Sequence, residues 1–325
     1  MNWLAVFLFT VGTFGCQAQT KQHMKHNNPL LCDPATGICE MPGTGPQATA
    51  GPAEVSGKPL RIIYFTDPIC SSCWGIEPQL RKLKLEYGSA VQVDYHMGGL
   101  LPDWTYNSGG ISKPSDVAPH WDEVSHHYHM PIDGDVWLED PLPSSYPPSI
   151  AFKAAQMQDA HRAVAFLRAL RERLFLQKKN ITKWEYVEQA AAQVGLDSAQ
   201  LRKDYEGKAK ELFQQDLQLA RQLGVRGFPT LIVTDSSGRT DLIYGFRPYA
   251  AFEASIKKMH PDAAPTPYAR DWRSLFGVYP TLTLQEYAEL SGLALPIAQQ
   301  TLDQLVAQRE LSVFTCKNGS IWRRE

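Results

Sequence analysis

Two cysteines separated by two residues, Cys70 and Cys73, are the residues of this chain best placed to do chemistry. They follow residues 60–65, an apolar run that predicts a buried strand, and they precede residues 74–85, whose apolar spacing predicts a helix. Free amide groups and the dipole at a helix start stabilise a thiolate. A lowered thiol pKa makes Cys70 both a nucleophile and a leaving group, so the pair predicts thiol–disulfide exchange in which Cys73 resolves a mixed disulfide.

Two structural interpretations compete with redox chemistry at this C-x-x-C. The pair could form a structural disulfide, or it could supply half of a zinc site. Zinc usually needs a second pair of cysteines or histidines, and Cys316 is the only later cysteine in the sequence. The strand-to-helix context therefore favours redox chemistry.

A second feature lies far along the chain, where Gly227-Phe228-Pro229-Thr230 enters another apolar run. A proline at the entrance of a strand can carry a cis peptide bond. The competing interpretation is an ordinary trans proline that opens an edge strand. The presence of the C-x-x-C favours the cis form.

Residues 65–74 and 224–230 together resemble the DsbA-like thioredoxin superfamily, and within it the FrnE/SpxH (YjbH) branch. The chain is also similar to the 2-hydroxychromene-2-carboxylate isomerases. The resemblance covers residues 58–260. It implies an α/β, thioredoxin-like fold with an all-helical insertion over about residues 100–222.

The resemblance also implies roles for individual residues. Cys70 would be the exposed nucleophile and Cys73 the resolving thiol, and the cis-proline loop would offer a backbone edge to which a substrate peptide can pair. The residues expected to contact substrate are Ser71, Ser72, Trp74, Phe228 and Pro229.

Three functions follow as hypotheses. The first is a protein thiol–disulfide oxidoreductase or isomerase that acts on protein thiols and disulfides and requires no cofactor beyond its own cysteines. The second is a non-enzymatic adaptor, like the SpxH proteins, that binds a client protein and delivers it to the ClpXP protease. The third is a glutathione-dependent small-molecule isomerase. It is disfavoured because those relatives have a serine where Cys70 stands.

The first residues allow two interpretations of where the chain resides. Residues 4–16 resemble a short secretion signal that ends in a lipoprotein cysteine, so Cys16 could carry a lipid anchor. Alternatively, translation begins at Met24 and the protein is cytoplasmic. The second interpretation is slightly preferred, because the lipobox is imperfect and no Lys or Arg precedes the apolar run.

Residues 1–57 also contain Cys32 and Cys39, joined by a turn-forming segment and preceded by His26. Three interpretations remain open for this tail. It could bind zinc through Cys32, Cys39 and His26, as the His/Cys-rich N-terminus of SpxH-like adaptors does. It could form a regulatory disulfide, or it could carry two exposed thiols on a linker.

Within the insertion, the predicted helix around residues 120–129 places Asp122 and His126 one turn apart. A metal or acid–base site there is disfavoured, because the spacing does not repeat a known metal motif.

Residues 268–325 predict two helices followed by a hairpin, which resembles a small C-terminal winged-helix domain. The second helix is rich in glutamine and the acidic and basic residues of the unit balance, which disfavours nucleic acid as a partner. The formal net charge of the whole chain, −2, agrees with this.

Overall fold

The computed structural model describes residues 33, 36–40, 57–105 and 113–324. Within these ranges the strands are β1 Cys39–Glu40, β2 Leu60–Thr66, β3 Val91–Met97, β4 Gly227–Phe228, β5 Thr230–Asp235, β6 Thr240–Tyr244, β7 Thr281–Thr283, β8 Leu311–Cys316 and β9 Gly319–Arg324. Apart from a short 3-10 turn at Pro114–Asp116, the helices there are α1 Ser71–Gly75, α2 Glu77–Tyr87, α3 Val117–Tyr128, α4 Val136–Glu139, α5 Tyr146–Gln158, α6 Ala160–Phe175, α7 Trp184–Gln193, α8 Ser198–Glu206, α9 Lys208–Gln222, α10 Tyr249–Met259, α11 Trp272–Val278, α12 Leu284–Ser291 and α13 Leu295–Ala307.

A four-stranded mixed sheet in the order β3-β2-β5-β6 forms the centre of the larger unit. β2 runs parallel to β3 and antiparallel to β5, with Tyr64 opposite Tyr95 on one side and opposite Leu231 on the other. The two inner strands are almost continuously apolar and buried, as expected for strands covered on both faces. The sheet therefore holds the end of β2, where the C-x-x-C begins, in a fixed position.

The helix predicted after the C-x-x-C is split into α1 and α2, which meet at Ile76. Pro78 lies in the first turn of α2, a position where its missing N–H costs no hydrogen bond. The apolar spacing of residues 198–223 also predicts one helix, which the structure splits at Gly207 into α8 and α9. Glycine weakens a helix interior because it has more backbone freedom to lose on folding.

Helices α3 to α9 lie between β3 and β4, so the predicted α/β fold with a helical insertion is confirmed. The indole of Trp121 packs against Trp137 and Phe175, with ring centroids 5.1 and 4.9 Å apart. Both tryptophans are fully buried. They are core residues of the insertion.

The C-terminal residues follow the order α11, β7, α12, α13, β8 and β9, with a sheet in the order β7-β9-β8. Thr283 and Glu286 form a reciprocal capping box at the start of α12, and Gly292, at φ +77°, ends that helix. A separate apolar cluster includes Leu282, Leu302 and Trp322. The winged-helix classification and the domain boundaries stay predictions.

The C-terminal unit docks on the larger unit through charged groups. Glu286 is fully buried and pairs with Arg168 and Arg81. At the hairpin turn, the Lys317 ammonium contacts the carboxylates of Asp122 and Asp135 at 2.5 and 2.8 Å.

Across the ranges the structure describes, helices that are both long and apolar enough to cross a bilayer were not found.

Candidate redox and peptide-binding site

The C-x-x-C occupies the junction between β2 and α1. Cys70 is the N-cap of α1, and its sulfur accepts a hydrogen bond from the Cys73 amide at 3.1 Å. The two cysteines form a disulfide with their Cα atoms 5.2 Å apart. A sulfur at this position receives amide hydrogen bonds that stabilise a thiolate once the disulfide is reduced.

The peptide bond between Phe228 and Pro229 is cis, which confirms the prediction. The Phe228 ring is fully buried and lies so close to Gly98 that a Cβ at that glycine would be 1.7 Å from the ring. The glycine at position 98 therefore makes room for the ring that holds the loop in place.

The backbone edge at Phe228 is already paired in this structure. β1 lies antiparallel to β4, with Cys39 opposite Phe228 and Glu40 opposite Gly227. The Cys39 sulfur is 3.4 Å from the Cys70 sulfur, and both side chains are fully buried. The chain's own N-terminal segment thus lies where the resemblance places a substrate peptide, which the sequence analysis did not predict.

A tight turn anchors β1. Asp33 and Ile38 form a bridge across the turn, and Gly37, at φ +64°, donates its amide hydrogen to the Asp33 carbonyl at 2.6 Å. The Gly37 carbonyl accepts a hydrogen bond of 2.9 Å from the Phe246 amide. A Cβ at position 37 would lie 2.2 Å from the Phe246 Cβ. Only glycine fits both the left-handed backbone and this close approach.

The expectation that Cys70 is exposed is wrong in this structure. Cys70, Cys73 and Ser72 each have no exposed surface, and Ser71 is 1% exposed. The Ser72 hydroxyl hydrogen-bonds the Tyr128 hydroxyl at 2.7 Å, which ties the C-x-x-C to helix α3 of the insertion. Cys39 of β1 thus contacts the Cys70 sulfur, and α3 contacts the C-x-x-C through Ser72.

Trp74 is also a core residue here, although a substrate contact was expected. Its indole Nε1 donates a hydrogen bond of 3.0 Å to the Pro131 carbonyl, and its ring stacks on Phe175. The Arg168 guanidinium lies over the same ring at 4.3 Å. These contacts bury the whole Trp74 side chain, so a substrate could contact it only after the site rearranges.

Asp67 is a buried carboxylate in the loop before Cys70 that the sequence analysis missed. Its Oδ1 accepts a hydrogen bond from the Ile69 amide, and its Oδ2 accepts from the Leu100 amide and the Ser145 hydroxyl, at 2.8 to 3.0 Å. Burial raises the pKa of Asp67 to about 6, although these hydrogen bonds favour the ionised form. The carboxylate links the active-site loop to the start of the insertion.

The raised pKa of Asp67 predicts a pH-dependent stability. The folded state holds the Asp67 proton more tightly than the unfolded state, whose pKa is 3.8. The free energy of unfolding should therefore fall as the pH rises from about 4 to about 6, by about 3 kcal/mol from this group alone. Carboxyls with a lowered pKa, such as Glu286 and Asp216, act in the opposite direction, so the quantity to measure is the difference in unfolding free energy between the native chain and Asp67→Asn. Urea titrations across that range should show this difference falling by about 3 kcal/mol. The same slope in both proteins would contradict the assignment.

Asp122 and His126 lie one turn apart on helix α3, and Asp122 accepts hydrogen bonds from Lys317 and Asn318 in the β8–β9 turn, at 2.5 and 2.6 Å. No group of three or more His, Cys, Asp or Glu side chains with metal-site geometry occurs among residues 33, 36–40, 57–105 and 113–324. Asp122 is thus a docking residue for the C-terminal hairpin.

The zinc interpretation of the tail stays a prediction, since Cys32 and His26 lie outside the described residues, as does Cys16. Cys39 is half of a disulfide in this structure, although its partner is not Cys70 or Cys73, which are bonded to each other. Metals are bound by thiolates, so a disulfide-bonded Cys39 is not a ligand in this state.

The mixed sheet, the C-x-x-C at a helix start and the facing cis-proline define a DsbA-like protein of the thioredoxin superfamily. A thioredoxin family model matches residues 64–254. Among solved structures, a putative protein disulfide isomerase from Nitrosomonas europaea is 21% identical and has a TM-score of 0.54, with 62% of this chain and 97% of that chain covered. The cytosolic disulfide reductase DsbM from Pseudomonas aeruginosa is 21% identical with a TM-score of 0.50, over 61% and 99% of the two chains. Likenesses at this identity concern the fold.

Curated relatives place the chain within that superfamily. The ClpXP adapter protein SpxH of Halalkalibacterium halodurans is 32% identical over 307 residues, which cover 92% of this chain and 98% of the relative. SpxH of Bacillus subtilis is 27% identical over 271 residues, covering 82% of this chain and 89% of the relative. The chain belongs to the SpxH family.

Proposed function

We propose that this protein is an adaptor that binds a client protein and presents it to the ClpXP protease. The observation that carries the proposal is the match to ClpXP adaptors over 98% of a relative's length, which includes the C-terminal unit as well as the thioredoxin-like unit. The two solved structures named above, by contrast, cover 61–62% of this chain. The adaptor hypothesis accounts for the whole chain.

The closed site supports the same proposal on physical grounds. An enzyme that exchanges disulfides with other proteins must expose its attacking sulfur and a free backbone edge. Here Cys70 is fully buried and Phe228 is already paired with Cys39. Client binding therefore takes place on another surface, or it follows the release of β1.

The second candidate is thiol–disulfide exchange with protein thiols, and the disulfide between Cys70 and Cys73 at the start of α1 favours it. This chemistry needs no cofactor beyond the cysteines, and zinc in the N-terminal tail would be an addition to it. Glutathione-dependent isomerisation of a small molecule ranks last, because both cysteines are present.

An adaptor for ClpXP works where that protease does. We therefore propose that the chain acts in the cytoplasm. Nucleic acid stays disfavoured as a partner. The basic residue of the hairpin turn, Lys317, pairs with Asp122 and Asp135, which raise the pKa of its ammonium group and compensate its charge.

The adaptor proposal predicts that client degradation survives loss of the redox pair. Clients are identified as proteins whose half-lives lengthen both without this chain and without ClpP, and one of them is then degraded by purified ClpXP with the purified chain. Cys70→Ser/Cys73→Ser should support degradation at the native rate, because the cysteines are not the binding surface. Cys316→Ser is the matched control, since Cys316 is a single thiol outside the site.

Two outcomes would contradict this account. If no protein depends on both this chain and ClpP, the adaptor role fails. If the double serine variant folds but abolishes degradation while Cys316→Ser does not, the redox pair is required and the exchange function takes first place.

A further inference from the structure

We propose that the N-terminal strand is an internal substrate of the Cys70–Cys73 pair and that Cys39 exchanges its disulfide with Cys70. The inference goes beyond the adaptor role, because the exchange takes place within one chain and needs neither client nor protease. It gives the C-x-x-C a reaction partner inside a site that is closed to other proteins in this structure.

The placement of Cys39 is that of a bound peptide. Its backbone pairs antiparallel with Phe228 at the cis-proline loop, in the way an added strand pairs with an exposed edge. Its sulfur contacts the Cys70 sulfur at 3.4 Å in a fully buried environment. This distance is a non-bonded contact between sulfurs, so exchange requires little movement of either backbone.

The oxidation states also fit an exchange. Cys39 is half of one disulfide, and Cys70 with Cys73 forms another. Two disulfides in contact cannot react with each other, because exchange needs a thiolate. Reduction of the Cys70–Cys73 pair by an external dithiol supplies that thiolate at Cys70, where the Cys73 amide can stabilise it.

The exchange then proceeds in two balanced steps. The Cys70 thiolate attacks the Cys39 sulfur, the bond between Cys39 and its partner sulfur breaks, and that sulfur leaves as a thiolate and takes a proton from water. The Cys73 thiolate next attacks Cys70, the Cys39–Cys70 bond breaks, and Cys39 leaves as a thiolate. Two electrons have moved from the C-x-x-C to the N-terminal disulfide, and no further oxidant or reductant is consumed.

The hydrogen bonds that hold the turn in place indicate that the contact between Cys39 and Cys70 is part of the fold. The amide of Phe246 and the guanidinium of Arg247 donate hydrogen bonds to the carbonyls of Gly37 and Thr36, at 2.9 and 3.1 Å. The Phe246 ring in turn stacks on Tyr128, whose hydroxyl bonds Ser72 between the two cysteines. The turn and the C-x-x-C are thus joined through one set of contacts.

The test is a trapping experiment on the full chain. In Cys73→Ser the second step is blocked, so after mild reduction with dithiothreitol and reoxidation in glutathione buffer most molecules should carry a Cys39–Cys70 disulfide. Peptide mapping by mass spectrometry without reduction detects this link. Cys39→Ser/Cys73→Ser should lack it, and Cys316→Ser/Cys73→Ser should retain it.

If Cys73→Ser does not fold, the native chain is used instead. It is incubated in buffers of intermediate reduced-to-oxidised glutathione ratio, and thiol exchange is stopped with acid. The Cys39–Cys70 disulfide should then appear as a minor species. The proposal is overturned if folded protein shows Cys70 only as a free thiol or as a glutathione adduct while Cys39 keeps its original disulfide. It is equally overturned if Cys39 holds zinc and no link forms. None of these readouts involves ClpXP, so failure here leaves the adaptor proposal standing, and failure of degradation leaves the exchange standing.

Discussion

Replacing Glu286 with alanine should lower the free energy of unfolding by about 3 kcal/mol, because it removes the buried carboxylate that Arg168 and Arg81 share and leaves each arginine with one remaining partner, Glu172 or Glu77. The Glu286 carboxylate accepts two hydrogen bonds from the Arg168 guanidinium, at 2.7 and 2.9 Å, and lies 3.2 Å from the Arg81 Nε. Burial alone would raise the pKa of Glu286, but the two arginines lower it below its usual value. The ion pair therefore persists well into the acid range.

The matched control lies one turn further along α12. Glu289 pairs with Lys82 at 2.8 Å, but both side chains are 20–23% exposed, so Glu289→Ala should cost about 1 kcal/mol or less. Urea unfolding of the full chain, followed by far-UV circular dichroism, gives both values. Equal losses in the two variants would show that burial of Glu286 does not set the strength of its pairing.

This prediction also bears on how the two units cooperate. Arg168 belongs to helix α6 of the insertion and Arg81 to the helix that follows the C-x-x-C, so Glu286 joins the C-terminal unit to both. The Arg81 guanidinium additionally donates to the Thr281 carbonyl at 2.7 Å. If the adaptor presents its client with one unit and contacts the protease with the other, Glu286→Ala should weaken degradation more than it weakens client binding.

The sequence predicted the parts of the site that depend on local chemistry. The apolar run before Cys70 and the cysteine pair at a helix start lie within a few residues of one another, so their spacing carries the information. Pro229 was recognised because proline has few roles at a strand entrance. The breaks at Ile76 and Gly207 were missed, because apolar periodicity continues through them.

The parts that were missed depend on contacts between distant segments. Strand β1 is only two residues long, and its partner Phe228 lies at the far side of the helical insertion. Two residues are too few to show the alternation of apolar and polar side chains that marks a strand. The sequence therefore grouped Cys39 with Cys32 in the N-terminal tail. The position of Glu286 between two arginines was likewise invisible, because a charged side chain on an amphipathic helix is usually solvated.

Replacing Gly37 with alanine should speed the reduction of the Cys70–Cys73 disulfide at least about tenfold. The left-handed backbone costs a non-glycine residue about 1–2 kcal/mol, and the new Cβ would also clash with Phe246 at 2.2 Å. If the substitution destabilises the closed turn by about 1.4 kcal/mol, the population in which β1 is released rises tenfold. When β1 returns faster than the reagent reacts, the rate of reduction is proportional to that population.

Gly238→Ala separates this effect from backbone strain alone. Gly238 has φ +82° in the exposed hairpin between β5 and β6, and a Cβ there meets nothing within 4 Å. Reduction rates are measured with excess tris(2-carboxyethyl)phosphine, followed by alkylation and mass spectrometry. Hydrogen exchange of the Gly227–Phe228 peptide reports on β1 directly. Faster reduction together with faster exchange in Gly37→Ala alone would show that β1 controls access to Cys70, whereas unchanged rates would mean that reagents reach the disulfide by a path that does not displace the strand.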